Sequence, residues 1–181
     1  MAVDKEKQAA LNGVVESLGI AKFRLTDNET VSVAAVLADR TRYTLLDTRT
    51  AEERAVSVIP GAITREQFEA SPTTYASTTV VCYCTVGYLS GACTRELRNK
   101  GHGNVVNMGD GALLGYTLAQ TSNGVAQPLA APDGTPTNEV HTFMDDLAPL
   151  AGSGMVAHTF PNPQAVLEAA NQKISSTLDL S

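Results

Sequence analysis

The chain has no tryptophan, only three histidines and only three cysteines. Each scarcity closes off a class of protein. Cys82, Cys84 and Cys93 have no regular spacing, so they do not make a disulfide framework, and a reducing, cytoplasmic setting is expected. His102, His141 and His158 are scattered without ligand spacing and have no cysteine partner close in sequence, so neither a metal site nor a cofactor is expected. No apolar run approaches the length of a membrane span. The start, MAVDKEKQAALNGVVESLGI, carries early acidic residues and no apolar h-region, which does not fit a signal peptide. Thirteen Lys and Arg against nineteen Asp and Glu give a net charge of −6. That balance argues against nucleic acid or an anionic membrane as the main partner. Glycine and proline are ordinary, and nothing reads as low complexity. What is present is apolar: 43% of 181 residues are hydrophobic, enough for a proper core in one domain with some length to spare.

The stretch with the most chemistry in it is Thr78 to Lys100, TTVVCYCTVGYLSGACTRELRNK. A β-branched run, Thr78 to Val81, leads through Cys82 and Tyr83 to Cys84. The loop Thr85-Val86-Gly87-Tyr88-Leu89-Ser90 follows, and a helical segment is expected from Gly91 to Lys100. Backbone N–H groups at a helix start have no intrahelical partner, and the helix dipole places partial positive charge there. A sulfur anion, a terminal persulfide or an anionic substrate held at that point meets those donors. Cysteine usually behaves as a small buried hydrophobe. Cys82, inside the strand, and Cys93, inside the helix, keep that reading. Cys84, at the strand-to-loop junction, is the candidate nucleophile.

Along the chain, Ala10, Leu11, Val14, Val15 and Leu18 have helical spacing, and a helix over residues 4–18 stops near Gly19. Residues 21–25 are expected as a short edge strand. Asn28 or Thr30 is expected to cap a helix containing Val33, Ala34, Val36 and Leu37. Tyr43 to Leu46 is continuously apolar, which suits a central parallel strand, and it ends in Asp47-Thr48-Arg49. Glu52, Glu53 and Arg54 suggest a short exposed helical turn. Pro60-Gly61 marks a turn before a short strand at Ala62-Ile63. A brief helix at 65–70, a break at Pro72 and a turn at Gly101-His102-Gly103 come next. Asn104 to Met108 reads as a strand, Gly109-Asp110-Gly111 as a sharp turn, and Ala112 to Ala119 as a helix.

Strands alternating with helices imply an α/β fold with a mostly parallel sheet. Sites in such sheets lie beyond the carboxyl ends of the strands. Asp47 with Arg49, Cys84, and Asp110 all fall at such ends. Asp47 has a plain alternative, holding its own loop through neighbouring backbone N–H groups. Arg49 can equally pair with Asp47, Glu52 or Glu53, and Asp110 can be simple turn chemistry.

With these segments in order, the chain resembles the rhodanese-like (thiosulfate sulfurtransferase) domains from about Thr30 to Gln120. LLDTRTAEERAVSVIPGAI is similar to that family's strand-Asp-x-Arg segment and Ile-Pro-Gly-Ala turn. VVCYCTVGYLS is similar to its active-site loop, with Cys84 at the nucleophile position and Gly87 at the loop glycine. GHGNVVNMGDGALLGY is similar to its closing strand and Gly-rich turn. The resemblance implies a five-stranded, mostly parallel sheet with helices on both faces. It also implies a Cys84 that takes sulfane sulfur from thiosulfate or a persulfide such as glutathione persulfide and passes it to a thiophilic acceptor, cyanide or a thiol. Thr85, Val86, Gly87, Tyr88, Leu89, Ser90 and Arg49 would then surround the substrate, with Asp47 and Asp110 in support.

Four positions depart from the family pattern. Ser57 and Val58 stand where Gly-His is frequent, Leu89 where many members carry a donor-binding Arg, and Tyr116 where Trp is common. Phosphatases and arsenate reductases of related fold close a longer loop with an Arg, and Ser90 stands at that position, so phosphoryl chemistry is disfavoured. The resemblance divides the chain into a helix and lead-in (1–29), the domain (30–120) and a linker with a helical extension (121–181). Residues 120–140 read as linker or long loop. Helical spacing marks 143–150 and 163–180, with Val166, Leu167, Ala170 and Ile174 on one face. This extension either packs on the domain or offers a homodimer surface. Two functions follow: a sulfurtransferase working through Cys84, or a non-catalytic binding or redox-sensing module of the same fold.

Overall fold

The computed structural model describes residues 4–179. At its centre is a five-stranded sheet whose pairings are all parallel. Its strands are β1 (Thr30–Val31), β2 (Tyr43–Asp47), β3 (Ile63–Thr64), β4 (Thr79–Tyr83) and β5 (Val105–Met108), in the order β1-β5-β4-β2-β3. Strand β4 is the middle one. Tyr43–Asp47 lie opposite Thr79–Tyr83 on one side of it, and Val105–Asn107 lie opposite Val80–Cys82 on the other.

The continuous apolar runs are explained by burial on both faces. Successive side chains of a strand point to opposite faces. Leu45, Val81, Tyr83, Val106 and Met108 enter one layer with Leu11 of α1 (Lys5–Ser17), Val33 and Val36 of α2 (Val33–Ala38), and Leu113 and Leu114 of α6 (Ala112–Ser122). Leu46, Val80, Cys82 and Val105 enter the other with Phe68 of α4 (Arg65–Ala70) and Cys93 and Leu97 of α5 (Tyr88–Asn99). The short α3 (Ala51–Val56) follows β2. Helices thus cover both faces. Among the described residues, no helix is long and apolar enough to cross a membrane.

Several local expectations need correction. Residues 20–23 form a 3-10 turn rather than an edge strand. Gly19 and Arg24 are both left-handed there (φ 74° and 52°), and Phe23 is buried. Helix α2 is capped by Ser32, whose hydroxyl accepts from Ala35 N. Asn28 lies in a 3-10 turn and Thr30 in the first strand. Helix α5 starts at Tyr88, so the second half of the expected loop is its first turn.

The largest correction concerns the expected linker. Residues 129–130 and 136–137 form an antiparallel pair, β6 (Leu129–Ala130) and β7 (Pro136–Thr137). A parallel pair follows, β8 (Glu139–Phe143) with β9 (Val156–Thr159). Leu129, Val140, Phe143, Leu147, Ala151 and Phe160 all belong to the main core. The final helix α7 (Pro163–Thr177) starts with Asn162 at its cap and Pro163 at its first position, a favourable start for both residues. Its Val166 and Leu167 pack on the main core, and Leu167 and Ile174 pack on a smaller cluster around Phe23, Tyr88, Ala92 and Leu178.

Candidate active site

The sheet delivers Cys84 to the carboxyl end of its middle strand, one residue past β4. Helix α5 begins four residues later with Gly87 at its cap, so no side chain competes for the amides there. The Gly87 N–H donates to Cys84 Sγ at 3.2 Å, and the Ser90 hydroxyl donates to the same sulfur at 3.5 Å. Gly87 is at φ 99°, and a Cβ there would stand 3.2 Å from the Met108 carbonyl oxygen, so glycine is needed both for conformation and for space.

The loop's carbonyls are drawn away from the sulfur. Leu113 N and Leu114 N, in the first turn of α6, donate to the carbonyls of Cys84 and Thr85 at 3.2 and 3.1 Å. Asn107 Nδ2 donates to Gly87 O at 3.2 Å. The side chains of the loop then scatter. Val86 enters the main core, while Tyr88 packs against Phe23 and donates to Asn171 Oδ1 at 2.8 Å. Leu89 lies against the cluster that α7 covers. Of the six residues expected around the substrate from this loop, only Gly87 and Ser90 bond the sulfur.

Thr85 leads to a residue the sequence reading misplaced. Its hydroxyl donates to Glu53 Oε1 at 3.0 Å, and Glu53 is 1% exposed rather than part of an exposed turn. Its other carboxylate oxygen accepts from Thr50 N and Thr50 Oγ1, both at 2.9 Å, while Thr50 caps Glu53 N in return. Thr50-x-x-Glu53 is a capping box. That pattern was available in the sequence and would have marked Glu53 as engaged.

Asp47 and Arg49 form a buried pair, with 1% and 0% of their side chains exposed. Arg49 Nη2 donates to Asp47 Oδ2 at 2.6 Å and to Ser57 O at 2.7 Å, and its Nε donates to Asp47 Oδ1 at 2.9 Å. Burial opposes the charge of Arg49, but Asp47 more than restores it, and its pKa lies above the ordinary arginine value. Tyr83 donates to Asp47 Oδ2 at 2.6 Å. Burial and the neighbouring carboxylate push that phenol's pKa well above its usual value. Asp47 therefore holds its loop, and Arg49 is committed to Asp47 and Ser57. Asp110, at φ 53°, accepts from Val33 N at 2.9 Å and so fastens its turn to α2 rather than touching the thiol. Among the described residues no group of three His, Cys, Asp or Glu is placed to hold a metal ion.

Residues 30–116 match the family model described as Rhodanese-like domain. The chain carries a rhodanese-like domain.

Solved structures similar to it include a rhodanese-related protein from Thermoplasma volcanium (18% identity, 49% of this chain and 89% of that one, TM-score 0.41). A thiosulfate sulfurtransferase from Pseudomonas aeruginosa is similar at 23% identity over 68% of this chain but only 23% of that one, with TM-score 0.48. A Rhodopseudomonas palustris protein described as a possible tyrosine phosphatase is similar at 18% identity over 68% of this chain and 92% of that one, with TM-score 0.42. No match was found among curated proteins.

Within the rhodanese-like domain, three of the four departures from the family pattern have a structural explanation. The Ser57 hydroxyl donates to Glu139 O of β8 at 2.7 Å. Val58 exchanges two backbone hydrogen bonds of 2.9 Å with Ala130 of β6. Leu89 lies under α7. Ser57, Val58 and Leu89 all meet the C-terminal extension. Between α3, α5 and α7 lies a cleft of about 710 Å³, lined on the α5 side by Leu89, Ala92, Cys93 and Glu96. Arg54, Arg65 and Lys173 add cations to a mostly apolar wall.

Proposed function

We propose that the protein is a sulfurtransferase with Cys84 as its nucleophile. The observation that carries this reading is the Gly87 N–H aimed at Cys84 Sγ from the uncapped start of α5. In the first half-reaction the Cys84 thiolate attacks the sulfane sulfur of a donor. The bond from that sulfur to the rest of the donor breaks, releasing sulfite from thiosulfate or a thiol from an organic persulfide. The terminal sulfur of the Cys84 persulfide carries negative charge. The Ser90 hydroxyl and the amides at the start of α5 are the groups at hand to hold it. In the second half-reaction a thiophilic acceptor, cyanide or a thiol, attacks the terminal sulfur and regenerates the thiolate. A covalent intermediate between two half-reactions gives ping-pong kinetics. Three free thiols suit a reducing setting such as the cytoplasm.

Phosphoryl transfer has less support. Ser90 occupies the position of the loop arginine, and Arg95 and Arg98 both bind Glu29. The burial of Cys84, 3% exposed, favours a second reading, a binding module whose thiol is closed off.

One experiment separates the two. After incubation with thiosulfate or glutathione persulfide, the intact mass should rise by about 32 Da, one sulfur, and cyanide should remove it. Cys84→Ser should show no gain while keeping its circular dichroism spectrum. An unchanged mass in the native chain, or the same gain in the variant, would overturn the sulfurtransferase reading.

A further inference from the structure

The cysteine that faces the large cleft is Cys93, not the proposed nucleophile. It follows Leu89 by one helical turn on the same face of α5. Behind it, across the contact between α5 and β4, lies Cys82, fully buried in the same packed layer with Leu46, Phe68, Val80, Leu97 and Val105. The two thiols share that layer closely enough to shift each other's acidity. All three cysteines are free thiols in this structure. The sulfur-transfer mechanism uses neither Cys82 nor Cys93, and Cys84 Sγ is held by Gly87 and Ser90 instead.

We propose that Cys82 and Cys93 are a dithiol that hydroperoxides convert to a disulfide, with Cys93 the thiol attacked first. Its position on the cleft gives a small oxidant access that Cys82 lacks. Its surroundings also suit the role. The neighbouring Cys82 favours the Cys93 thiolate, and Arg65 of α4 adds to this, against burial, Glu96 of α5 and Glu69 of α4. Cys82 is pushed the other way by Cys93 and by complete burial, so it holds its proton. A thiolate with a waiting thiol behind it is the arrangement of an attacking and a resolving cysteine.

The steps balance. Cys93 Sγ attacks one peroxide oxygen, the O–O bond breaks, and the other oxygen leaves as an alcohol or water after taking a proton. Cys93 becomes a sulfenic acid. Cys82 Sγ then attacks Cys93 Sγ, the S–O bond breaks, and water leaves with the thiol's proton. The dithiol has lost two electrons and the hydroperoxide has gained them. A thiol reductant reverses the disulfide by exchange.

The test uses the reduced full chain and hydrogen peroxide, with no sulfur donor, so it does not depend on the sulfurtransferase reading. Chymotrypsin cleaves after Tyr83 and Tyr88 and so places Cys82, Cys84 and Cys93 on separate peptides. The intact mass should fall by about 2 Da, and dithiothreitol should restore it. The peptides should link Cys82 to Cys93. The same loss should occur in Cys84→Ser and be absent in Cys93→Ser. If a substitution disturbs folding, peptide mapping of the native sequence decides the matter alone. An unchanged mass, oxygen addition to Cys93 without a link, or a link involving Cys84 would each overturn the proposal.

Discussion

Gly87 and Asp47 show how much of the site rests on single residues. At φ 99°, with a backbone carbonyl 3.2 Å from any added Cβ, Gly87→Ala must both strain its own backbone and shift its N–H from the Cys84 sulfur. The expected cost is about 1–3 kcal/mol in a urea midpoint, together with loss of the persulfide mass gain. An unchanged midpoint would mean that the loop tolerates a Cβ. Asp47→Asn removes the counter-charge of a guanidinium with 0% exposure. Breaking one side of a buried ion pair costs about 3–5 kcal/mol, and denaturant unfolding should show it whether or not sulfur transfer survives. Much at this scale could be read from the chain alone. A cysteine after a β-branched run and before a glycine has few placements in a parallel sheet, and Asp47 accepts from the Arg49 backbone N–H, one of the two roles open to a carboxylate at a strand end. The side-chain directions of Thr85, Tyr88 and Leu89 could not be read, because they depend on partners at positions 53, 171 and 167–178 far away in sequence.

Element by element, the sheet strands were legible because burial on both faces leaves an unbroken apolar signature in β2, β4 and β5. The two-residue strands β1, β6 and β7 have too few residues to show a period. The β8/β9 pair joins segments separated by 12 residues, 144–155, and the helical spacing at 143–150, of which Asp145–Leu150 is a 3-10 turn, concealed it. Helix α6 carries a sharper requirement than its sequence suggests. Its Gly115 lies so close to the Asp110 turn that a Cβ would fall 2.0 Å from the Asp110 carbonyl oxygen. Gly115→Ala is ordinarily favourable within a helix, by about 1 kcal/mol. Here it should be destabilising by about 3 kcal/mol or more, since neither backbone can give way. A thermal midpoint raised by the substitution would contradict this packing. Because α6 also supplies the amides that hold the Cys84 and Thr85 carbonyls, sulfur transfer should fall with it.

At the scale of the whole molecule, the extension carries a buried titratable group that feels the charge of the domain's Arg49. His141 of β8 is 2% exposed, and its pKa is pushed down to about 4, first by burial and then by the nearby charge of Arg49, with Glu52 opposing and His158 adding. The unfolded chain returns this imidazole to about 6.5. Between the two values the unfolded state binds the extra proton. Stability from this group is therefore complete above about pH 6.5 and is lost as pH falls toward 4. His141→Asn keeps an acceptor for the Phe143 N–H, which His141 Nδ1 takes at 3.2 Å. Urea midpoints at pH 7 and pH 5 should differ more for the native chain than for this variant. Equal differences would show that His141 is not the group responsible.

The bracing of the cysteine loop has a consequence for the order of events in folding. Gln8 of α1 donates to the Asp110 carbonyl, Lys7 reaches the Ala151 carbonyl 144 positions away, and Lys22 and Asn171 meet at the Tyr88 hydroxyl. Contacts of such sequence separation close late, after local helices and adjacent strands have formed. During synthesis, the strand bearing Cys84 leaves the ribosome long before Asn171 does. The thiol therefore waits in a half-assembled pocket, and its reactivity should emerge as one of the last properties the polypeptide acquires.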